Sequence, residues 1–141
     1  MQWNLYQNYF CPQRNGSMNR WQAMGKFDFI VDGYGQQHPG LGFAHVEPEQ
    51  SLAFFRDVWG QGVAQGMKST EWDYMSTAYT RMDHYRSNVT AASSYIAGMA
   101  DAALELGVGL QYCMSLPRYI LESMKHPAVT NARGSEDYAV T

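Results

Sequence analysis

Glu71-Trp72-Asp73 closes a short apolar run, and its i, i+2 spacing sets two carboxylates on one side of an extended chain, roughly 7 Å apart. Two further acidic positions follow apolar runs, Asp32 and Glu136-Asp137. Carboxyl groups separated by roughly 5 to 9.5 Å can cleave a glycosidic bond, one giving a proton and the other acting as nucleophile or base. In that chemistry Asp73 is the nucleophile or base, and Glu71 or Asp137 is the acid. Trp72 and Tyr74 offer flat rings to a sugar, although strand alternation turns Trp72 away from Glu71 and Asp73. Tyr112, Arg118 and Arg133 stand near the ends of later apolar runs and carry donors that can orient a hydroxyl or a carboxylate. The plainer alternative is that the acids cap helices or pair with Arg118 or Arg133 while the rings fill a core.

Other chemistries have less support. The four histidines, His38, His45, His84 and His126, show no H-x-x-x-H or H-x-H spacing, so neither a metal nor any other cofactor is expected. Cys11 and Cys113 can be bridged, buried as thiols or unrelated, and buried thiols are favoured. Cys113 as a nucleophile lacks an oxyanion-hole motif, and a cysteine inside a strand is usually packing. The triplets Asn15-Gly16-Ser17 and Asn88-Val89-Thr90 are glycan acceptors in a secreted chain. A net charge of −3 without a long basic run argues against nucleic acid as a partner. No apolar stretch approaches the roughly 18 residues of a membrane span, and no basic-then-apolar leader opens the chain.

The elements that must position these residues read as follows. Residues 3–10 mix aromatic and polar side chains in near alternation, as a strand does, and 27–31 form a second strand that feeds a long Gly- and Pro-rich loop. Pro48 opens a helix with Leu52, Phe55, Trp59 and Val63 on one face, crossed by Gly60 and Gly62 and ended by Gly66. Met67–Trp72 is a strand. A long helix follows Asn88, with Val89, Ala92, Ile96, Met99, Ala100, Ala103 and Leu104 inward and Gly107 just past its end. Residues 108–114 are the next strand, Pro117–Met124 a short helix and Ala128–Ala132 the last strand.

Strands alternating with helices predict an α/β fold with parallel βαβ units, about five parallel strands in all. A doubly wound nucleotide-binding domain needs a glycine-rich turn after its first strand, which is missing here, so the expectation is a (β/α) TIM-type barrel. A complete barrel takes about 250 residues. The 141-residue chain is therefore expected to be one domain, 1–141, forming a segment of a larger barrel.

Three stretches, Gly66 to Asp73 (GMKSTEWD), Val108 to Arg118 (VGLQYCMSLPR) and Val129 to Tyr138 (VTNARGSEDY), together resemble the central part of a group of large glycoside-hydrolase-like (β/α)8-barrel proteins of animals and bacteria. The likeness spans roughly residues 27 to 138. It implies that Glu71 and Asp73 form an acidic strand end, that Gln111 to Met114 line the barrel, and that Arg133, Ser135 and Asp137 form a second strand-end cluster. It also implies an extracellular protein whose partner is carbohydrate, together with the rest of its own barrel or other copies of the chain. Trp72-Asp73-Tyr74 departs from that group, which has a smaller polar residue, Asp and Trp there. The alternative function is a non-catalytic extracellular glycoprotein that uses the same fold for assembly or glycan binding.

Overall fold

The computed structural model describes residues 3–7, 24–31 and 44–134, the first of these as backbone only. Cys11, Asn15, Asp32, His38, Ser135, Glu136 and Asp137 lie outside the described residues. The chain opens with strand β1 (Trp3–Gln7), followed by β2 (Phe29–Val31) and β3 (Ala44–Val46). A turn of 3-10 helix at Pro48–Gln50 leads into α1 (Ser51–Ala64), then β4 (Met67–Trp72). Two short helices, α2 (Met75–Arg81) and α3 (Asp83–Ser87), precede the long α4 (Ala91–Leu106). Strand β5 (Gly109–Tyr112), α5 (Pro117–Ser123) and β6 (Val129–Ala132) complete the described fold.

Four of these strands form one parallel sheet in the order β1-β4-β5-β6, so each strand lies beside the strand before it in the helix-linked series. The expectation of about five parallel strands is corrected here. Strand β2 pairs antiparallel with β3, with Ile30 opposite His45, to make a separate two-stranded sheet. A three-residue strand such as β3 is too short to show period-2 alternation, and it follows a stretch whose glycines and prolines read as loop. Among the described residues the parallel sheet is open, with β1 and β6 at its edges.

Alternation splits the sheet into two unlike faces. Thr70, Trp72, Leu110 and Tyr112 are buried on the face that meets the helices. Ser69, Glu71, Gln111 and Asn131 stand on the other. The helical side is dominated by rings: Phe55 meets Trp72 edge-on at 5.1 Å and Tyr95 at 5.7 Å, while His45 stacks on Tyr95 at 4.7 Å. Helices α1 and α4 cross closely at Gly98, where an added Cβ would lie 1.9 Å from Ser51 Oγ and 2.8 Å from the Leu52 amide. On the outer surface the guanidinium of Arg56 binds the carboxylate of Glu105 across the same pair. Helix α1 runs unbroken through Gly60 and Gly62. Gly107 caps α4 in the left-handed region at φ 66°, and its amide bonds Leu104 O.

The inward face of α4 also differs from the expected one. Val89 is 88% exposed and Leu104 52% exposed, while Tyr95 and Ala102 are buried. The side chain of Asn88 accounts for Val89: its Oδ1 accepts from the amides of Thr90 at 3.0 Å and Ala91 at 3.3 Å, so the helix starts after Val89.

Candidate functional site

The register Trp72–Tyr112–Ala132 across three strands makes Asp73, Cys113 and Arg133 the first residue beyond β4, β5 and β6. Backbone bonds carry the ladder one step further. Cys113 N donates to Trp72 O at 2.9 Å, and Arg133 N donates to Tyr112 O at 2.8 Å. Neighbouring strands therefore place these side chains side by side at the carboxyl end of the sheet, the end where parallel α/β folds keep their sites. Glu71, two residues before Asp73, shares its face.

The side chains meet there. One ligating atom each from Glu71, Asp73 and Cys113 lie within 4.8 Å of one another. Nη2 of Arg133 donates to the sulfur of Cys113 at 2.6 Å. Asp73 is 3% exposed, and one of its oxygens accepts from the Tyr74 amide at 2.7 Å. The Arg133 carbonyl is held in turn by Ser115, through its amide at 2.8 Å and its hydroxyl at 2.9 Å. Cys113 is a free, fully buried thiol. Burial first, then hydrogen bonding to Asp73, pushes it up to about 12 against the opposing pull of Arg133, with Glu71 adding to the rise.

The turns that leave β4 and β5 are strained. Tyr74 adopts φ 59° and Met114 φ 49°, the only non-glycine residues with positive φ among those described. A side chain in that region costs roughly 1–3 kcal/mol and persists where its surroundings over-determine it. Here the surroundings are visible: Met75 N donates to Cys113 O at 3.4 Å and Ser76 N to Met114 O at 2.9 Å, so the start of α2 is stitched to the turn after β5.

This arrangement suits proton chemistry better than cation binding. Two carboxylates and a sulfur are a conceivable ligand set for a metal. The guanidinium of Arg133, however, puts positive charge against the sulfur, where a second cation would be repelled, and in the absence of a cation the thiol keeps its proton at neutral pH. The same protonated state opposes a thiol nucleophile.

Of the residues expected at the site, Glu71, Asp73 and Arg133 are brought together. Trp72 and Tyr112 are corrected: both are buried against the helices, 2% and 0% exposed, because alternation points them away from the acids. Tyr74 is half-buried at the margin of the core. Arg118 is drawn elsewhere, donating to Tyr79 Oη and Ser93 Oγ at 3.2 Å each and stacking over the rings of Tyr79 and Tyr119. Asn88 lies on an exposed turn, with Thr90 Oγ1 donating to its Oδ1 at 3.0 Å, while Asn15 and Asp137 fall outside the described residues. Cys113, expected as packing, belongs to the cluster. The run 108–114 places Cys113 inside a strand by sequence, and only the end of β5 at Tyr112 puts it level with Asp73.

The fold defines an α/β protein with a parallel sheet and an acidic cluster at its carboxyl edge. No family model, no curated protein and no solved structure matches the chain. Among the described residues no helix is long and apolar enough to cross a membrane.

Proposed function

We propose that this chain is a sector of a glycoside-hydrolase-like (β/α) barrel that cleaves a glycosidic bond in an extracellular glycan through its strand-end carboxylates. The observation that supports the reading is that Glu71 and Asp73 bring carboxylate oxygens within 4.8 Å at the carboxyl edge of a parallel sheet, slightly under the roughly 5–5.5 Å of a retaining pair and too close for an inverting one. Strands that lie side by side in chain order, with helices between them, are also what a sector of such a barrel would present. Glu71 is half-buried and exchanges the proton with the glycosidic oxygen. Asp73, nearly sealed from water, is the nucleophile, and Arg133 balances the charge of the pair. The three sequence stretches that resemble the glycoside-hydrolase-like group agree with this reading, and so does the exposed acceptor triplet at Asn88.

The test is turnover of a panel of 4-nitrophenyl glycosides and oligosaccharides by the purified chain. Glu71→Gln and Asp73→Asn are each expected to lower kcat/KM by about 10²- to 10⁴-fold, the usual worth of a positioned acid or base, with an unchanged circular dichroism spectrum. Turnover that survives both substitutions would overturn the reading.

A second reading, a non-catalytic glycoprotein that uses the fold for assembly or glycan binding, draws on the surface of α5. Leu121 is 68% exposed and Met124, just past the helix, 85% exposed, close in sequence to the edge strand β6. Glycan binding on an array without turnover of any glycoside would favour it.

A further inference from the structure

Arg118 stands in the first turn of α5 at i, i+4 spacing from Glu122, the spacing at which an arginine and a glutamate on one helix ordinarily pair. Here they do not. Ser93 of α4 stands between them, its Oγ accepting from Arg118 Nη2 at 3.2 Å and donating to Glu122 Oε2 at 3.2 Å. The other guanidinium bond, from Nη1, goes to Tyr79 Oη at 3.2 Å, again a neutral hydroxyl. The rings of Tyr79 and Tyr119 lie 5.1 and 5.5 Å from the guanidinium carbon. None of the ion pairs among the described residues includes Arg118. Two of the five N–H groups of an arginine are used in this way, and the rest are left for another acceptor. A half-buried guanidinium held in plane by hydroxyls and rings has already lost the freedom that an anion would otherwise have to take from it.

The side chain lines an open groove of about 480 Å³ together with Ser93, Leu121, Glu122 and Lys125. That volume is within the range of small-ligand sites. Arg118 and the exposed Lys125 bring two formal positive charges and Glu122 one negative, so the groove holds a surplus of a single positive charge. Leu121, 68% exposed, is its apolar wall. We propose that this groove binds a monoanionic sugar, a hexuronate or its glycoside, with the carboxylate on Arg118 and Lys125, a ring hydroxyl donating to Glu122 and the C–H face of the ring against Leu121. A planar guanidinium meets a carboxylate through two parallel N–H···O bonds. One surplus positive charge matches one negative charge, whereas a phosphate dianion would be repelled by Glu122 as well. Glu122 and Leu121 have no part in binding a bare carboxylic acid, and they are what separates a sugar acid from acetate. None of the five lining side chains belongs to the Glu71–Asp73 cluster, so the groove is a second site. The choice of a sugar rests on the carbohydrate reading above; the carboxylate contact does not.

The test is a titration of the 15N-labelled whole chain with sodium glucuronate, glucose, acetate and inorganic phosphate, followed in 1H–15N correlation spectra. Glucuronate is expected to bind with a Kd of about 1 mM and to move the amides of residues 93 and 118–125 and the Arg118 Nε–H, while glucose moves none of them. Lys125→Gln, at an exposed position, is expected to weaken binding about threefold. Arg118→Lys, which keeps the charge and loses the fork, is expected to weaken it about tenfold, with an unchanged circular dichroism spectrum in both variants. Acetate or phosphate binding as tightly as glucuronate would overturn the assignment to a sugar acid. Unmoved amides at about 50 mM glucuronate, far above that Kd, or an affinity that neither substitution changes, would overturn the site itself. Glucuronate binding without turnover of any glycoside would uphold the groove and remove only the catalytic reading.

Discussion

His45 is a titratable residue sunk in rings. It lies in β3, 2% exposed, with Nδ1 at 2.8 Å from Tyr85 Oη and its ring packed among Trp72, Tyr85 and Tyr95. Burial lowers it from 6.5 to about 3, because the imidazolium cannot be hydrated there. The folded state thus holds a neutral imidazole where the unfolded chain takes up a proton. Its contribution to stability is fully present above about pH 6.5 and is lost as pH falls toward about 3. Urea denaturation across that window is expected to show a slope reaching about 1.4 kcal/mol per pH unit from this group, and His45→Phe should flatten it. An identical slope in the variant would assign the acid sensitivity to the carboxylates. At this scale the sequence is informative about Glu71 and Asp73, since i, i+2 geometry is a local property of any strand. It names Arg133 as a strand-end residue but does not place it or Cys113 beside the acids, which takes the register of three strands.

Helices α1 and α4 pack together with Gly98 against Ser51 and the Leu52 amide. At Gly98 an added Cβ meets Ser51 Oγ at 1.9 Å and the Leu52 amide at 2.8 Å, and the backbone of α1 cannot yield as a flexible side chain can. Gly98→Ala is therefore expected to cost about 1–3 kcal/mol in urea denaturation, even though alanine is the better helix former. Gly60, in α1, has nothing within 4 Å of the added carbon. Gly60→Ala is expected to gain up to about 1 kcal/mol in the same experiment. Equal effects at the two positions would contradict the crossing. The long elements are legible in the sequence, because α1 and α4 carry three- and four-residue apolar spacing with Pro48 and Gly107 at their boundaries. Helices α2 and α3 leave no such signal. They have seven and five residues and no side-chain cap, too little for a period to register.

One core joins sheet and helices through Trp72. Its ring meets Phe55 from α1, Tyr95 from α4 and His45 from β3, so three elements from different parts of the chain depend on one indole. Trp72→Ala is expected to cost about 3–5 kcal/mol. Against a total stability of about 5–15 kcal/mol for a protein of ordinary size, that is enough to populate the unfolded chain under mild denaturant. A thermal midpoint unchanged from the parent chain would mean that the helices do not need the sheet.

At this scale the division between sequence and structure follows the range of the forces involved. The amino-acid sequence by itself determined the α/β class, the long helices, the strand β4 and the facing of Glu71 and Asp73, because turn chemistry, helical period and strand alternation all act within a few residues. Tertiary structure alone decided that β2 leaves the parallel sheet for β3, that helices cover the face carrying Trp72 and Tyr112, and that Arg118 turns to Tyr79 and Ser93. It alone brought Cys113 and Arg133 to Asp73. Each of those outcomes depends on which distant segments pair and in what register, and only the packing of the whole chain selects that.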